Sequence, residues 1–335
     1  MNASRQQRYR RLAELVARAK RIVLATHERA DGDAFGSLLA FRQLVLAGRT
    51  VVALAPESSP SGYAFLPGIE TVVTEAESVT VDDADLVMLF DCGDVQRTHL
   101  AEKLYFLGAH RPFVALLDHH PTRTTWRDRQ LVDLAIVETA ASSTSELVAE
   151  YCAANGISVS PAAATALLTG IVTDTGGFQN LSTTLEAMET AAELLKRGAN
   201  LRRIVQATMR TKSLRTLQLW GRALERLVRD PATGTVSTAL TLQDLRECGV
   251  DLDSTESTEG IANFLNSLED ARIILVLREK SGGLIKGSLR TKQPDVNVAD
   301  LAAVYGGGGH TKAAGFTVAG EIVRGERGWS VQEKK

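Results

Sequence analysis

The sequence predicts an α/β protein made of a parallel-sheet domain, a helical linker and a smaller α/β domain. In the first half, short apolar runs of strand length alternate with helical stretches, which is typical of a parallel sheet. Several of these runs end abruptly in acidic or imidazole side chains, as strands do at the edge of a sheet that carries a site. The last third combines strand-like runs, a candidate hairpin and a glycine-rich segment, which indicates a separate domain.

The elements of the first domain follow from apolar spacing and turn residues. Apolar side chains at helical spacing predict helices at 4–20, 34–47, 139–154 and 161–172. Short continuous apolar runs predict strands at 21–25, 50–54, 86–90 and 113–117. Gly48 suits the C-cap of the second helix, and the segment 56–68 is rich in serine, proline and glycine, as loops are.

Two helical stretches of alternating charge, 184–197 and 204–228, indicate a connector between the domains. We therefore divide the chain into a first domain at 1–190, a helical linker at 191–228, a second domain at 229–322 and a tail at 323–335. Inside the second domain the sequence predicts a strand at 235–240 and a helix at 260–268. It also predicts a hairpin whose two strands are 271–277 and 284–289. The charged residues after Gly320 are expected to fray.

Composition limits the partners that this chain can bind. Of its 335 residues, 44% are hydrophobic and 23% are charged, as in an ordinary globular protein. A net charge of −2 argues against a protein that grips long duplex nucleic acid through a basic surface. No window holds the run of about 18 apolar residues that a membrane-spanning helix needs. The three cysteines form no C-x-x-C pair, which indicates reduced thiols and a cytoplasmic protein.

The stretch T-H-E-R-A-D-G-D-A-F-G at 26–36 organises the candidate site. It follows the first predicted strand and offers one imidazole and two carboxylates, those of His27, Asp31 and Asp33. Gly32 permits a tight turn between the two carboxylates. Imidazole and carboxylate ligands suit divalent cations. Taken alone, the stretch is also compatible with a polar loop built on an Asp-Gly turn.

Two further predicted strands deliver similar groups. The third predicted strand ends at Asp91, and the fourth ends at Asp118, His119 and His120. Because the carboxyl ends of parallel strands lie at one edge of a sheet, we expect these groups to form one site with the first stretch. The segment T-D-T-G-G-F-Q-N adds Asp174, which is flanked by hydroxyl groups and followed by two glycines.

Six of these side chains form a candidate metal-ligand set: His27, Asp31, Asp33, Asp91, His119 and Asp174. Four carboxylates in one cleft would repel each other unless cations neutralise them. Oxygen and imidazole ligands favour Mn²⁺ or Mg²⁺ over structural Zn²⁺, which prefers thiolates. The set is too large for one ion, whereas two ions about 3.5–4 Å apart are the usual arrangement for attack on phosphorus.

Four motifs, H-x-x-x-D-G-D, D-C-G-D, D-H-H-P and T-D-T-G-G-F, resemble those of the DHH phosphoesterase superfamily. G-S-L-R-T-K at 287–292 and G-G-G-H-T-K-A-A-G at 307–315 resemble its DHH-associated C-terminal domain. The resemblance covers about residues 20–320 without an additional module, which is similar to the nano-RNase and pAp-phosphatase branch. Ala30 stands where that superfamily usually has proline, which removes local rigidity but no ligand.

The resemblance implies how the ligand set is divided between two Mn²⁺ ions. One ion would be held by His27, Asp31 and Asp91, and the other by Asp33, Asp91, His119 and Asp174. Asp91 would therefore bridge the two ions. A hydroxide between them would be the nucleophile, because both charges lower its pKa.

The same resemblance implies a substrate site in a cleft between the two domains. His120 would face the substrate phosphate, and Asp118 would orient the imidazoles from behind. Together with Asp91 and His119, these residues would be the catalytic set. In the second domain, Arg290 would clamp a phosphate, and His310 would contact a phosphate or a nucleobase. The backbone of Gly307, Gly308 and Gly309 would form a cradle for the phosphate.

The implied activity is that of a phosphoesterase with two Mn²⁺ ions, for which Mg²⁺ or Co²⁺ could substitute. It would hydrolyse RNA of two to about five nucleotides to mononucleotides, and 3′-phosphoadenosine 5′-phosphate (pAp) to AMP. An alternative enzyme activity is hydrolysis of cyclic or linear dinucleotides in signal turnover. An alternative of another class is an inactive nucleotide-binding regulatory protein. The sequence leaves monomer and homodimer open.

Overall fold

The computed structural model describes residues 3–58, 60–120, 130–210, 213–252 and 260–332. The chain forms two compact units, Met1–Thr211 and Lys212–Lys335, which we call the first and second unit. The segment predicted as a linker, 191–228, is divided between them, so that its last part, from Lys212 onward, belongs to the second unit.

The first unit is built on a sheet of six parallel strands, which confirms the predicted fold class. In chain order these strands are β1 (Arg21–Ala25), β2 (Thr50–Leu54), β3 (Val72–Val73), β4 (Leu86–Phe90), β5 (Phe113–Asp118) and β6 (Leu134–Val137). In space their order is β3-β2-β1-β4-β5-β6. The progression of strands therefore reverses between β1 and β4, and open α/β sheets bind ligands in the crevice at such a reversal.

Both faces of this sheet are covered, because successive side chains of a strand point to opposite faces. Ile22, Leu24 and Met88 lie in one apolar cluster. Val23 and Val87, which alternate with them along β1 and β4, lie in a second cluster. A strand buried on both faces needs a continuous apolar run, which is why these strands are visible in the sequence.

Several helices of the first unit begin at polar N-cap residues. Within the described residues they are α1 (Ala3–Arg18), α2 (Gly32–Val45), α3 (Ala101–Leu107), α4 (Thr144–Ala154), α5 (Pro161–Asp174), α6 (Leu185–Lys196) and α7 (Leu201–Val205). Asp31 caps α2 with its side chain. Helix α4 begins at Thr144 rather than at 139, because Ser143 has extended backbone and its hydroxyl accepts from the Glu146 N–H. The segment before Thr144 is therefore loop.

The second unit contains a mixed six-stranded sheet with the order β11-β12-β10-β9-β8-β7. Its strands are β7 (Val228–Arg229), β8 (Thr235–Leu240), β9 (Ile273–Lys280), β10 (Leu284–Arg290), β11 (Gly308–His310) and β12 (Ala313–Ala319). Its helices are α8 (Leu214–Glu225), α9 (Leu242–Glu247), α10 (Ile261–Leu265) and α11 (Val298–Val304). The predicted hairpin is confirmed, since β9 and β10 pair antiparallel with Lys280 opposite Leu284.

The stretch predicted as helical over 204–228 is not one helix. α7 is followed by a π-helical segment, Gln206–Arg210, and α8 is a separate helix. Ser213 begins α8 as a new N-cap, with extended backbone and a hydroxyl that accepts from a helix N–H. Ala223 of α8 lies in an apolar cluster of the second unit, and Val228 already lies in β7.

The expectation that the chain frays after residue 320 is wrong for the residues up to 332. Two strands, β13 (Glu321–Gly325) and β14 (Gly328–Gln332), form an antiparallel hairpin. Trp329 anchors it: the backbone N–H donates to Ser237 Oγ at 2.9 Å, and the indole N–H donates to the Arg226 carbonyl at 2.7 Å. The charged residues of this segment suggested a frayed tail, but its two strands are stabilised by contacts with residues far away in the sequence.

The three cysteines, Cys92, Cys152 and Cys248, are buried and unbridged. Burial raises the pKa of the Cys92 thiol well above its usual value, so this neighbour of Asp91 is an unreactive packing residue. Among the described residues, no helix combines the length and the apolar character needed to cross a membrane.

Candidate metal centre

The carboxyl ends of β1, β4 and β5, together with the start of α2 and the end of α5, bring all six predicted metal ligands together in two groups. One group contains His27, Asp31 and Asp91, and the other contains Asp33, His119 and Asp174. Within each group, one potential ligand atom of every residue lies within 4.8 Å of those of the other two. Asp91 also lies within this distance of His119 and His120. The two groups are therefore adjacent, and Asp91 connects them.

His27 lies just after β1 and turns one ring nitrogen toward Asp91. Its Nδ1 lies 2.7 Å from the Glu28 carbonyl oxygen and 3.0 Å from Arg97 Nη2. Its Nε2 lies 3.8 Å from Asp91 Oδ2, where it could bind a cation. Burial lowers the pKa of His27, which keeps the ring neutral.

Asp31 and Asp33 are placed by the N-terminus of α2. Asp31 is the N-cap, and its Oδ1 accepts from the N–H groups of Asp33 and Ala34 at 3.0 and 3.1 Å. Gly32 between them is required by packing, because a Cβ there would lie 2.3 Å from Thr173 Oγ1 on α5. The prediction of a tight turn at Gly32 is therefore wrong: Gly32 is the first residue of α2, at the place where α2 approaches α5.

Asp33 is buried and held by the first turn of α4. Its Oδ2 accepts from the Thr144 N–H at 2.6 Å, and its Oδ1 accepts from the Ser145 N–H at 2.8 Å. Burial raises the pKa of Asp33, and His119 and the hydrogen bonds from Ser145 oppose this shift. The helix terminus offsets part of the negative charge but does not neutralise it.

Asp91 follows β4 and lies between the two groups. Its backbone has a φ of 53°, in the left-handed region that non-glycine residues rarely adopt. Oδ2 faces His27 Nε2 at 3.8 Å, and Oδ1 faces His119 Nε2 at 3.6 Å. Burial raises the pKa of Asp91 well above its usual value, and the Asp33 charge adds to this shift. One oxygen of this carboxylate is thus available to each group.

The end of β5 supplies Asp118 and two imidazoles with different surroundings. Asp118 Oδ1 accepts from the backbone N–H of His120 and lies 2.9 Å from its Nδ1, and Oδ2 accepts from the Gly93 N–H at 2.6 Å. Burial would raise the pKa of Asp118, but these hydrogen bonds outweigh it and lower the pKa. Asp118 therefore orients His120, whereas His119 Nδ1 lies 3.4 Å from the Ala141 carbonyl oxygen.

The pKa values of the two neighbouring imidazoles are shifted in opposite directions. Burial lowers the pKa of His119, whose Nε2 lies 3.2 Å from Oδ2 of Asp174, the last residue of α5. Burial also opposes protonation of His120, but hydrogen bonds with Asp118 and Asp91 outweigh it and raise the pKa to about 11. His119 is therefore suited to bind a cation, and His120 to carry a positive charge itself.

These observations test whether the residues fit divalent cations. Asp33, Asp91 and Asp174 all have raised pKa values, for which burial is the largest cause and mutual repulsion a further one. Such a cluster of carboxylates, with two neutral imidazoles facing it, needs positive charge from a ligand. Oxygen and nitrogen donors without thiolate suit Mn²⁺ or Mg²⁺. The residues fit a pair of such ions.

Sequence reasoning missed the residues that hold the ligands in place. These are Thr144 and Ser145 in the first turn of α4, Arg97 beside His27, and Gly170 on α5. A Cβ at Gly170 would lie 2.5 Å from Asp33 Oδ1, so this helix position must stay bare. The run A-S-S-T-S at 141–145, which spans the start of α4, and a glycine inside a helix were the available signals.

The predicted substrate residues of the second unit line up across its sheet. Ala313 on β12 pairs with Arg290 on one side and with His310 on the other. Directly opposed residues share a sheet face, so these two side chains flank a small residue at a separation of about 10 Å. Arg290 Nε donates to Asn263 Oδ1 at 2.7 Å. This row places a guanidinium and an imidazole on one face.

The glycine run is not a free loop. Gly308 and Gly309 belong to β11, and only Gly307 precedes the strand. A Cβ at Gly307 would lie 2.2 Å from the Gly315 carbonyl oxygen, and one at Gly309 would lie 2.5 Å from the Ala313 carbonyl oxygen. These glycines therefore allow close backbone approach between β11 and β12.

Two family models match the chain. Residues 21–171 match the DHH family, N-terminal domain, and residues 250–326 match the DHHA1 domain. The first match spans β1, β4 and β5 with most of the candidate ligands, and the second spans the row of Arg290 and His310.

Curated relatives and a solved structure are similar over most of the chain. The bifunctional oligoribonuclease and PAP phosphatase NrnA of Thermus thermophilus is 30% identical over 301 residues, 89% of this chain and 84% of that protein. The protein of that name from Bacillus subtilis is 27% identical over 304 residues, 89% of each chain. The crystal structure of an exopolyphosphatase-related protein from Bacteroides fragilis superimposes with a TM-score of 0.84 at 25% identity, covering 94% of this chain and 92% of that one.

Proposed function

Because this chain belongs to the DHH phosphoesterase family, we propose that it is a Mn²⁺-dependent enzyme acting on very short RNA. It would hydrolyse RNA of two to about five nucleotides to mononucleotides, and it would convert pAp to AMP. The two relatives named as bifunctional oligoribonucleases and PAP phosphatases support both activities. The buried thiols and the absence of a C-x-x-C pair are consistent with a cytoplasmic enzyme.

The observation that carries this proposal is the position of Asp91. Its two oxygens face His27 at 3.8 Å and His119 at 3.6 Å, so one carboxylate serves both ligand groups. A shared carboxylate is what a pair of cations needs in order to act on one phosphate. His27 and Asp31 would complete one ion site. Asp33, His119 and Asp174 would complete the other.

Bound Mn²⁺ ions would neutralise the phosphate charge and supply an activated water as nucleophile. The tasks of the chain itself are then to place ligands, exclude competing protons and orient the phosphate. Burial lowers the pKa values of His27 and His119, so each ring is neutral and would offer a lone pair to a cation from the Nε2 that faces the carboxylates. Asp33 is fixed by two backbone N–H groups, which leaves its orientation independent of the cation.

His120 would contact the substrate phosphate. Its pKa of about 11 makes it an imidazolium at neutral pH, and Asp118 holds its Nδ1 at 2.9 Å. A cation positioned in this way would donate from Nε2 to a phosphate oxygen and stabilise charge that grows during cleavage. Asp118 would thus act through His120 rather than on the substrate.

The second unit would bind the substrate phosphate or base at a distance from the bond that is cleaved. Arg290 and His310 lie in one row across the sheet, and Arg290 is oriented by Asn263. A guanidinium binds phosphate through paired hydrogen bonds. The backbone of Gly307, Gly308 and Gly309 would approach the same phosphate without side-chain obstruction.

The proposal is tested by hydrolysis of a substrate panel with Mn²⁺ and with a chelated control. The panel contains a diribonucleotide, a long single-stranded RNA, a cyclic dinucleotide, pAp and pyrophosphate. Fast, chelator-sensitive cleavage of the diribonucleotide and pAp, with little cleavage of long RNA, is the expected result. Preference for the cyclic dinucleotide would replace the proposed substrate, and no turnover with Mn²⁺, Mg²⁺ or Co²⁺ would overturn the proposed activity.

A further inference from the structure

Thr144 makes two contacts with the candidate metal ligands, one from its backbone and one from its side chain. The backbone N–H donates to Asp33 Oδ2 at 2.6 Å. The hydroxyl donates to Asp91 Oδ1 at 3.0 Å. Thr144 is itself fully buried. One residue therefore joins the carboxylate that would bridge the ions to a carboxylate of the second ion group.

The hydroxyl of Thr144 is not needed to cap α4. Ser143 is the N-cap, and its Oγ accepts from the Glu146 N–H at 3.1 Å. A threonine in the first turn offers no advantage in helix propensity, and a buried hydroxyl without a partner would be destabilising. The bond to Asp91 gives this hydroxyl its partner, which links the choice of residue to the metal centre.

The same hydroxyl constrains rotation of the Asp91 carboxylate. Oδ1 receives the Thr144 hydroxyl and faces His119 Nε2 at 3.6 Å, while Oδ2 faces His27 Nε2 at 3.8 Å. A carboxylate oxygen has more than one lone pair, so Oδ1 can accept from Thr144 and still bind a cation. Without the hydroxyl, Oδ1 keeps its contact with His120 Nδ1 at 3.3 Å but loses the shorter hydrogen bond at 3.0 Å, so rotation of the carboxylate is less constrained.

We propose that Thr144 is a positioning residue whose hydroxyl holds Asp91 in the bridging orientation before any cation binds. The proposal rests on the two-ion function proposed above. Thr144 does not act on substrate; it acts by fixing which oxygen each ion group receives. Hydrogen-bond partners behind metal ligands typically affect metal affinity by about 10–100-fold.

The test uses the full chain with four substitutions. Thr144→Val and Thr144→Ala both remove the hydroxyl but differ in shape, and both keep the backbone N–H bond to Asp33. Thr144→Ser restores the hydroxyl. Thr169→Val is the matched control, because it removes another fully buried threonine hydroxyl, one that donates only to the Thr165 carbonyl of its own helix at 2.8 Å.

Mn²⁺ affinity and stoichiometry are measured by electron paramagnetic resonance titration, alongside thermal unfolding in chelator and turnover at saturating Mn²⁺. We expect Thr144→Val and Thr144→Ala to weaken binding of at least one Mn²⁺ by about 10-fold or more. Thr144→Ser and Thr169→Val should stay within about 3-fold of wild type. In chelator, the variants with weakened Mn²⁺ binding should unfold at about the same temperature as wild type.

Unchanged Mn²⁺ affinity in both hydroxyl-free variants would overturn the positioning role. So would equal weakening in Thr169→Val, since it would indicate general packing damage. Failure of this proposal can be distinguished from failure of the proposed function. If wild type binds two Mn²⁺ ions and cleaves the diribonucleotide while the variants match it, only the role of Thr144 falls. If wild type binds no Mn²⁺, the proposed function falls first.

Discussion

Asp91 in the first unit and Asp244 in the second are both buried aspartates, yet their pKa values shift in opposite directions. Asp244 has 2% exposure and Asp91 has 1%. Asp244 accepts from both terminal nitrogens of Arg226 and from the N–H and hydroxyl of Thr241. Burial would raise the pKa of Asp244, but these bonds outweigh it and lower the pKa. For Asp91, burial and Asp33 raise it.

The difference teaches which buried charges belong to the fold and which belong to a ligand. Asp244 is neutralised by a partner within the chain and completes the capping box of α9. Asp91 accepts from the Thr144 hydroxyl and lies 3.3 Å from His120 Nδ1, but burial and the Asp33 charge outweigh these contacts and raise its pKa. A bound cation would therefore stabilise the Asp91 carboxylate further. Removing each charge should therefore have opposite consequences, and four predictions test this comparison.

The largest effect is expected on turnover. Asp91→Asn keeps the shape of the side chain but removes the charge shared by both ion groups. We expect kcat/KM on a diribonucleotide with Mn²⁺ to fall at least about 10³-fold. Asp82→Asn, at an exposed carboxylate outside the site, is the matched control. Circular dichroism checks the fold, and retained activity in a folded Asp91→Asn protein would refute the bridging role.

The second effect is a loss of stability in the second unit. Asp244→Asn leaves Arg226, which is 26% exposed, without its carboxylate, and should cost about 2 kcal/mol. Glu247→Gln breaks a pair whose side chains are 46% and 44% exposed, and should cost under about 0.5 kcal/mol. Urea unfolding followed by tryptophan fluorescence measures both.

Mn²⁺ affinity should be unchanged in both of these variants, because the ligands lie in the first unit. Equal costs for Asp244→Asn and Glu247→Gln would contradict the view that the buried pair stabilises the fold. A loss of Mn²⁺ affinity in either variant would show that the two regions are not independent.

The third effect extends the comparison to a cation of the second unit. Arg290, whose Nε is oriented by a neutral amide, should bind substrate phosphate rather than stabilise the fold. Arg290→Ala should raise KM for a diribonucleotide about 10-fold with little change in kcat. Arg324→Ala, which removes an arginine stacked over Trp329, is the control. An unchanged KM for Arg290→Ala would exclude the clamp.

The smallest effect is on thermal stability, where the order of wild type and Asp91→Asn should reverse when Mn²⁺ is added. In chelator, Asp91→Asn should unfold at a slightly higher temperature than wild type, since it removes a charge that burial and the Asp33 charge destabilise. Added Mn²⁺ should stabilise wild type and leave the variant nearly unchanged. Calorimetry in both buffers measures this, and a variant less stable than wild type in chelator would contradict the proposed repulsion.

The sequence was most informative where structure depends on neighbours along the chain. The strands of the parallel sheet are continuous apolar runs, and the groups that end them are adjacent in sequence to those runs. The prediction that Asp91 and His119 share one site follows from the rule that strand ends share an edge. Asp174 ends a helix, and its flanking hydroxyl groups and glycines were the signal for it. The comparisons support the family resemblance on which the finer roles depend.

Sequence reasoning was weakest where structure depends on distant contacts. The hairpin of β13 and β14 is stabilised by Trp329 contacting Ser237, which lies 92 positions away. The break before α8 places Ala223 in the core of the second unit, which alternating charge does not reveal. Periodicity cannot report either contact, because it describes the spacing of apolar residues within one segment and not which distant segment packs against it.

The sequence by itself determined the chemical character of the site: the identities of six candidate ligands, the strands that precede most of them and the family that the chain resembles. Only the tertiary structure decided their geometry and charge. It placed Thr144 between Asp33 and Asp91, turned the two oxygens of Asp91 toward different imidazoles, and gave His119 and His120 opposite pKa shifts. The physical reason is that burial and hydrogen bonding are set by residues far apart in the chain, whereas ligand type is a property of each residue alone.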